Sequence, residues 1–568
     1  MLDHAARDPA VIGPAWFDRA DALRRLADDP LDLLVVGGGI TGAGCTLDAA
    51  SRGLRVGLVE RGDFASGTSS RSSKLVHGGL RYLQQGEVRL VYQALHERQR
   101  LRRNAPHLVK TLPFLIPVFA GKDGVISKKL ARALGSAMWM YDLTGGARIG
   151  KLHQRLSAEE ALAHMPTLRQ DRLASAYLYY DAQADDARLT LTLARTAAVD
   201  HGAVVANGVR LAEVLKQGDG SVRGARLEAD GEVIEVSCPV IVNAAGVWAD
   251  DVRALDEGTH PDSLRPAKGV HITVPWDRVQ NDIAAVVPVP KDRRSVFVVP
   301  WGDFTYIGTT DTDYDGPIDE PRCDAADVEY LLRAINFSVE TEITADDVVG
   351  TWAGLRPLIK SASSGRTADL SRRHRVAVSG SGMVTVTGGK LTTYREMAAD
   401  TVDTAQALLG RHEGDRATHH SRTKRLRLRG AEGYEELAES EDPLHRHLAD
   451  RYGGESRVLL AMIDKEPGLG RPLVAGLPYT RAEAVYAARH EMARSVDDVL
   501  SRRTRARLLA RDPSAEAAED VADLIAPVLG LTPDQRAAQV EAYRREIAVE
   551  RSCAQLPDAA LEAALGGA

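Results

Sequence analysis

Three glycines placed after an apolar run carry the plainest chemistry in this chain. In "LDLLVVGGGITGAG" a strand-like stretch runs into Gly37-x-Gly39-x-x-Gly42 and then into small residues of helical character. The first glycine permits a tight turn, the second lets backbone approach a pyrophosphate, and the third lets helix pack against strand. Phosphate charge then meets the unpaired N–H groups of the helix start. A second strand, "LRVGLVE", ends at Glu60, where a carboxylate can accept both hydroxyls of an adenosine ribose. Just beyond it, "SSRSSKLVHGGLRYL" (69–83) sets Arg71, Lys74, His77 and Arg81 among serines and glycines. So much positive charge with so little bulk suits a local phosphate site.

The fingerprint alone does not separate NAD from FAD, which share an adenosine diphosphate half. Two later segments do. "CPVIVNAAGVWADDV" (238–252) and "VTVTGGKLTTYREMA" (384–398) are further strands that stop at small-residue turns, far downstream of the first. Three strand ends converging from distant positions suit the long FAD molecule on a discontinuous domain better than a nicotinamide fold.

These residues need a scaffold. At 568 residues the chain is too long for one ordinary core, so two or more domains are expected. Up to about residue 412, short β-rich runs ("LDLLVVG", "RVGLVE", "VIVNAAG", "SVFVVPW") alternate with helical patterns, the texture of an α/β protein. After the charged segment "HEGDRATHHSRTKRLRLRGAEG" helical patterns take over, and two helix starts carry capping boxes: Thr480 with Glu483, and Thr532 with Gln535, the latter with Pro533 at the first helical position. The expected organisation is a Rossmann-like FAD-binding domain with an interleaved β-rich substrate domain over 1–412, a linker over 413–430 and an α-helical domain over 431–568. FAD segments are expected near 30–85, 185–255 and 350–410, and substrate-cap segments near 86–184 and 256–349.

The segments "GGGITGAG", "GTSSRSSKLVHGGLRYL", "VNAAGVWAD", "IGTTDTDY", "GLRPL" and "TGGKLTTYREMA" resemble, in this order, those of the FAD-dependent (aerobic) glycerol-3-phosphate dehydrogenases within the D-amino-acid-oxidase-like flavoproteins. "AVYAARHEMARSVDDVLSRRTRARLL" is similar to that family's helical cap. The resemblance implies oxidation of sn-glycerol 3-phosphate to dihydroxyacetone phosphate by hydride transfer to FAD, with electrons passed to a quinone. It implies that Gly37, Gly39, Gly42, Glu60, Ala245, Gly246, Gly389, Lys390, Leu391 and Thr392 contact the cofactor. Ser69, Ser70, Ser72, Ser73, Lys74 and Leu75 would line its flavin end, and Gly78 and Gly79 would let the chain pass close to the ring system. Arg81 and Tyr82 would face the substrate.

A phosphate dianion in a partly dry cleft needs charge-assisted donors, and arginine offers a planar fork. Besides Arg81, the family motifs single out Arg356 in "AGLRPL", Arg372 in "DLSRRHRV" and Lys390; Arg373 competes with Arg372 for its place. Oxidising a secondary alcohol also requires a base for the hydroxyl proton. His271 in "KGVHITV" is the candidate, with Arg356 as the partner of the developing alkoxide and Thr310 and Asp311 shaping the pocket. The glycines of "GGKLTTYREMA" lead into a helix whose first amides can face the flavin's pyrimidine edge, with Lys390 adding charge there.

Other classes fit poorly. A net charge of −7 supplies no basic field for nucleic acid, and four scattered cysteines without a C-x-x-C argue for a reducing, cytoplasmic setting without a metal or disulfide framework. "HEMAR" and "HERQR" put arginine where a zinc motif needs its second histidine. The N-terminal stretch has no signal-peptide pattern, and no run is long and apolar enough to span a bilayer. "ISKKLARALGSAMWMYDL" (126–143) reads equally as an interfacial helix or as one packed on its own domain. A peripheral membrane contact and a homodimer stay open, as do two alternatives: an oxidase using oxygen, and a flavin-bearing redox sensor or scaffold without turnover.

Overall fold

The computed structural model of the chain describes residues 17–79, 87–119, 128–143, 149–292, 294–360, 373–413 and 419–557. Its centre is a six-stranded sheet assembled from distant parts of the sequence, in the order Arg375–Val378, Val384–Thr387, Ile241–Asn243, Leu33–Val36, Val56–Glu60, Val204–Asn207. Leu33–Val36 is apolar throughout and buried at every position, as a parallel strand covered on both faces must be. It pairs in parallel with Val56–Glu60 on one side and Ile241–Asn243 on the other. The helix Ile40–Ser51 follows at once and is built from small residues. At Gly44 the reason is local: a Cβ would come within 2.7 Å of the Tyr394 ring, where the helix Tyr394–Glu413 crosses.

A second, mixed sheet of ten strands stands beside the first. Its long members are Lys110–Phe119, Leu173–Gln183, Leu264–Pro275 and Gly350–Ile359. The last two run antiparallel in continuous register, which sets Ala267 beside Arg356, Gly269 beside Gly354 and His271 beside Trp352. Because side chains alternate along a strand, these three pairs share one face. Leu75–Val76 and Gly350–Ile359 belong to this sheet, so the expected segment edges near 85 and 350 do not coincide with the division between sheets.

From Pro443 to 557 the chain is largely helical, with Pro443–Tyr452, Ser456–Lys465, Arg481–His490, Ala518–Leu529 and Pro533–Ala554 as its main helices. The expected starts are in place. The Thr532 N–H donates to Gln535 Oε1 at 2.9 Å with Pro533 at the first turn, and the Thr480 N–H donates to Glu483 Oε2 at 2.7 Å. The segment expected as a linker is, where described, tied down: Thr423 and Leu428 are buried, the Asn104 side-chain amide donates to Thr423 O at 3.1 Å, and the Leu428 N–H donates to Asn104 O at 2.8 Å. A charged composition misled the reading because Leu428 is buried in the core and Leu426 packs against it.

Candidate active site

One end of a cavity of about 530 Å³ is built by the glycine fingerprint. Gly37 adopts φ +109°, and a Cβ on Gly42 would stand 1.8 Å from Gly37 O. No side chain is tolerated at Gly42, so turn and helix close on each other as the spacing requires. Gly39 caps the helix Ile40–Ser51 without a side-chain hydrogen bond, leaving the start of that helix open to the cavity apart from the Ile40 N–H, which donates to Ser69 Oγ at 2.8 Å. At the tip of the second strand Glu60 is clamped by the N–H groups of Gly38 (2.7 Å) and Gly62 (2.8 Å). Burial pushes its carboxyl up while those two donors and Arg61 pull it down. Trp248, under the Arg61 guanidinium at 4.6 Å, closes the wall on this side.

At the other end, Gly388 (φ +74°) and Gly389 (φ +84°) are successive left-handed residues that turn the chain from Val384–Thr387 into the single turn Leu391–Thr393 and the helix behind it. Lys390, Leu391 and Thr392 line the cavity with Gly389, and Ala245 and Gly246 do so from the third strand end. Three strand tips thus meet at one elongated cleft. Its features suit a dinucleotide: a carboxylate at the ribose position, a helix start where phosphates would lie, and side-chain-free backbone between them.

Between the sheets, the cavity wall is the shared face of Leu264–Pro275 and Gly350–Ile359. The glycine pair Gly269–Gly354 leaves a place without side chains between His271 and Arg356, which the Arg71 backbone covers over Gly354. Arg356 bends into it: a Cβ on Gly269 would lie 2.6 Å from Arg356 Nη2. The guanidinium is fixed by Asp311 (3.2 Å), the Lys268 carbonyl (3.3 Å), Thr309 Oγ1 (3.2 Å) and the Thr310 carbonyl (3.2 Å). His271 lies flat on Trp352, ring centres 4.7 Å apart and planes 8° from parallel. Its Nε2 is 2.8 Å from Ser73 Oγ, while Nδ1 is sealed from solvent and has no hydrogen-bond partner among the described residues. Nε2 is therefore the nitrogen on the cavity side. Burial, helped by the Lys74 and Arg356 charges, holds the imidazole well below its ordinary pKa and so neutral.

The expected residues divide clearly. Gly37, Gly39, Glu60, Ser69, Ser72, Ser73, Leu75, Ala245, Gly246, His271, Arg356, Gly389, Lys390, Leu391 and Thr392 line this one cavity. Gly42, Ser70, Lys74, Gly78 and Gly79 stand behind its wall. The room beside Gly78 is taken by Leu95 and the Tyr141 hydroxyl, 2.6 and 2.8 Å from where its Cβ would be. The Lys74 ammonium turns inward to the Ser70 carbonyl (3.1 Å) and Asp186 (3.3 Å), 4.7 Å from the Trp352 ring centre, and burial brings its pKa down to about 8. Arg81, Tyr82 and Arg372 lie outside the described residues; Arg373 is exposed and paired with Glu87. Sequence reasoning noted the charge of Arg71 and His77 without giving either a role and passed over Trp248, Gly269, Phe297 and Thr309, all of which line the cavity. Gly269, set two before His271 in one strand, was the signal available for the place without side chains.

A dinucleotide cradle opening on a sheet face that carries a neutral histidine and a fixed arginine defines a class of redox enzyme, and the comparisons agree. Residues 32–395 match the FAD dependent oxidoreductase family, and residues 421–536 match the C-terminal domain of alpha-glycerophosphate oxidase. The chain belongs to the FAD dependent oxidoreductase family, and its cofactor is FAD. It is 40% identical to "Glycerol-3-phosphate dehydrogenase 2" of Mycobacterium tuberculosis, over 97% of this chain and 93% of that one, and 40% identical, with the same coverage, to the glycerol-3-phosphate dehydrogenase of Mycobacterium leprae. Among solved structures, the glycerol-3-phosphate dehydrogenase of Bacillus halodurans complexed with FAD superposes with a TM-score of 0.73 at 30% identity, covering 95% of this chain and 98% of that one.

Proposed function

We propose that this chain is an FAD-dependent glycerol-3-phosphate dehydrogenase, oxidising the secondary alcohol of sn-glycerol 3-phosphate to dihydroxyacetone phosphate. The relatives' names supply the substrate. The observation that carries the chemistry is the placement of a neutral His271 and a fixed Arg356 across a glycine pair, in a cavity whose far end is the dinucleotide cradle. When bound, FAD supplies a two-electron acceptor for the hydride that leaves the substrate carbon.

The protein's own residues account for the rest. Glu60 and the start of the helix Ile40–Ser51 hold the adenosine and phosphate half; Gly389, Lys390, Leu391 and Thr392 hold the flavin half. Arg356, already oriented by Asp311 and two carbonyls, meets the substrate's anionic charge at small entropic cost. The hydroxyl proton goes to Nε2 of His271, directly or through the Ser73 hydroxyl that bonds it. An imidazole kept neutral by burial is ready to accept, and the arrival of a phosphate dianion raises its basicity by offsetting the nearby cations.

Anaerobic addition of glycerol 3-phosphate to the FAD-loaded protein tests the reading. Bleaching of the visible flavin bands at catalytic rates is expected; an unresponsive flavin overturns it and favours a non-catalytic flavoprotein. For the acceptor, we favour a membrane quinone. On the helix Lys128–Leu143, Trp139, Met140 and Leu143 are exposed while Met138 and Tyr141 are buried, an apolar edge that suits a lipid interface. The side chains of Lys128, Lys129 and Arg132 lie outside those described. No described helix is long and apolar enough to cross a membrane. The match of residues 421–536 to an oxidase's C-terminal domain favours oxygen as a second reading. Peroxide formed in proportion to substrate consumed identifies that case.

A further inference from the structure

The segment Ser69–Lys74 lines the cavity yet has little regular structure of its own, apart from the single turn Thr68–Ser70. What holds it comes from elsewhere. Asp186, buried at the start of the helix Asp186–Arg195, accepts hydrogen bonds from the Ser72 N–H (3.0 Å), the Ser72 hydroxyl (2.6 Å) and the Lys74 ammonium (3.3 Å). The Ser70 carbonyl accepts from Lys74 at 3.1 Å. Lys74 itself is left-handed at φ +56°, a conformation a lysine keeps only where its surroundings enforce it.

Both anchor points converge on one guanidinium from the C-terminal helical region. Arg505 bonds Asp186 through Nη2, Asp185 through Nε at 2.9 Å and the Ser70 carbonyl through Nη1 at 3.2 Å. It is 1% exposed, sits at φ +70° and follows the π-helical turn Asp498–Arg503. Such turns are uncommon and cluster at functional places. Here the irregular turn and the left-handed residue together send Arg502, Arg503 and Arg505 to one side, the first two to Asp63 and the third to the flavin-side segment.

We propose that Arg505 is a positioning residue: the C-terminal region sets the active site by clamping Ser70–Lys74, and through Ser73 it fixes the orientation of His271. The path is continuous. Ser73, between the clamped Ser72 and Lys74, bonds His271 Nε2 at 2.8 Å; its carbonyl accepts from the Tyr306 hydroxyl at 2.8 Å; and the Ser72 carbonyl accepts from Trp352 Nε1, the indole on which His271 lies, at 3.1 Å. This inference rests on the flavoenzyme reading given above.

The test compares two buried inter-domain arginines. Arg195 joins the same helix, Asp186–Arg195, to Glu455 (2.6 and 3.1 Å) but touches nothing in Ser69–Lys74. Arg505→Lys and Arg195→Lys are made in the full-length, FAD-loaded protein, and four quantities are read: thermal midpoint, FAD content, the visible circular dichroism of the bound flavin, and its anaerobic reduction by glycerol 3-phosphate. Both variants should lose thermal stability. Only Arg505→Lys should change the flavin dichroism and slow reduction at saturating substrate by about tenfold to a hundredfold, as a small misplacement of reacting groups does, with FAD retained and KM little changed. Unchanged dichroism and rate in Arg505→Lys, or an equal slowing in Arg195→Lys, overturns the proposal. If Arg505→Lys does not fold, Ser72→Ala, which removes two of the clamp's bonds, to Asp186 and from the Lys74 N–H, must produce the expected dichroism change, and a spectrum identical to the parent's counts against it. A parent protein that is not reduced at all refutes the enzymatic reading instead.

Discussion

The Ser73 hydroxyl lies 2.8 Å from Nε2 of His271, joining a loop residue to a strand residue 198 positions away. The histidine ring is thereby held edge-on by a hydrogen bond and face-on by the Trp352 indole, so its cavity-side nitrogen has one direction to act in.

Replacing His271 by Asn keeps a polar group of similar reach but removes the base. Flavin reduction by glycerol 3-phosphate should fall by about 10²–10⁴, with FAD still bound. Ser73→Ala should cost less, about tenfold, because the ring keeps its indole support. Anaerobic stopped-flow absorbance measures both, and a Ser73→Ala loss as large as that of His271→Asn would make the serine the obligatory proton carrier.

Arg356→Ala should raise KM for glycerol 3-phosphate by about a hundredfold, equivalent to 2–3 kcal/mol for a lost charge-assisted contact, and Arg356→Lys should recover only part because it lacks the fork. FAD content is the control. Loss of flavin in Arg356→Ala would move this arginine from the substrate to the cofactor.

The two central fingerprint glycines should fail differently. A Cβ at Gly42 meets a backbone carbonyl at 1.8 Å, so Gly42→Ala should destabilise the fold itself. At Gly39 the nearest atom is the Ser69 hydroxyl at 3.1 Å, which can rotate away. Gly39→Val should therefore give a folded but colourless protein, because the branched side chain occupies the approach to the pyrophosphate. Thermal melts alongside flavin absorbance separate the two, and stoichiometric FAD in Gly39→Val would refute the cradle.

Acid sensitivity should trace partly to His107, which is 1% exposed and whose pKa burial brings down to about 3. A histidine that stays neutral when folded but takes a proton near pH 6.5 when unfolded removes stability as pH falls from about 6.5 toward 3. Between pH 7.5 and 5.0 this amounts to about 2 kcal/mol. Denaturant melts of His107→Gln should shift by that amount in the variant's favour, relative to the parent, over the same interval. A constant difference between the two proteins would show that His107 titrates alike in the folded and unfolded states and is not held neutral by burial.

The cofactor half of the site was legible in the sequence because its demands fall on backbone: where only glycine fits, glycine stands, as at Gly37, Gly42 and Gly389. His271 and Arg356 were legible through their motifs. That they share a face depends on a register between strands about eighty residues apart, which periodicity does not reveal. The inward turn of Lys74 was not legible, since its partner Asp186 is 112 residues distant and nothing in "SSKL" distinguishes a cofactor contact from a buried anchor. Arg505 was least visible of all: in "SRRTRARLL" it is one arginine among several, and its partner Asp185 lies 320 positions earlier. The charged segment after residue 412 was misread as a linker for a related reason, because composition reports the average residue whereas burial is decided by Thr423 and Leu428.

The strand order of the nucleotide-binding sheet has a consequence for how the protein is made. Leu33–Val36 leaves the ribosome before its neighbour Ile241–Asn243 and before Val384–Thr387 beyond that, which follow only after some 200 and 350 more residues. At roughly 5–20 residues per second, the nascent apolar strand waits at least ten seconds for its second partner and still longer for the clamp at Arg505. The nucleotide-binding sheet is accordingly incomplete until Val384–Thr387 has been made, and the interval before that is when a chaperone has the most to protect.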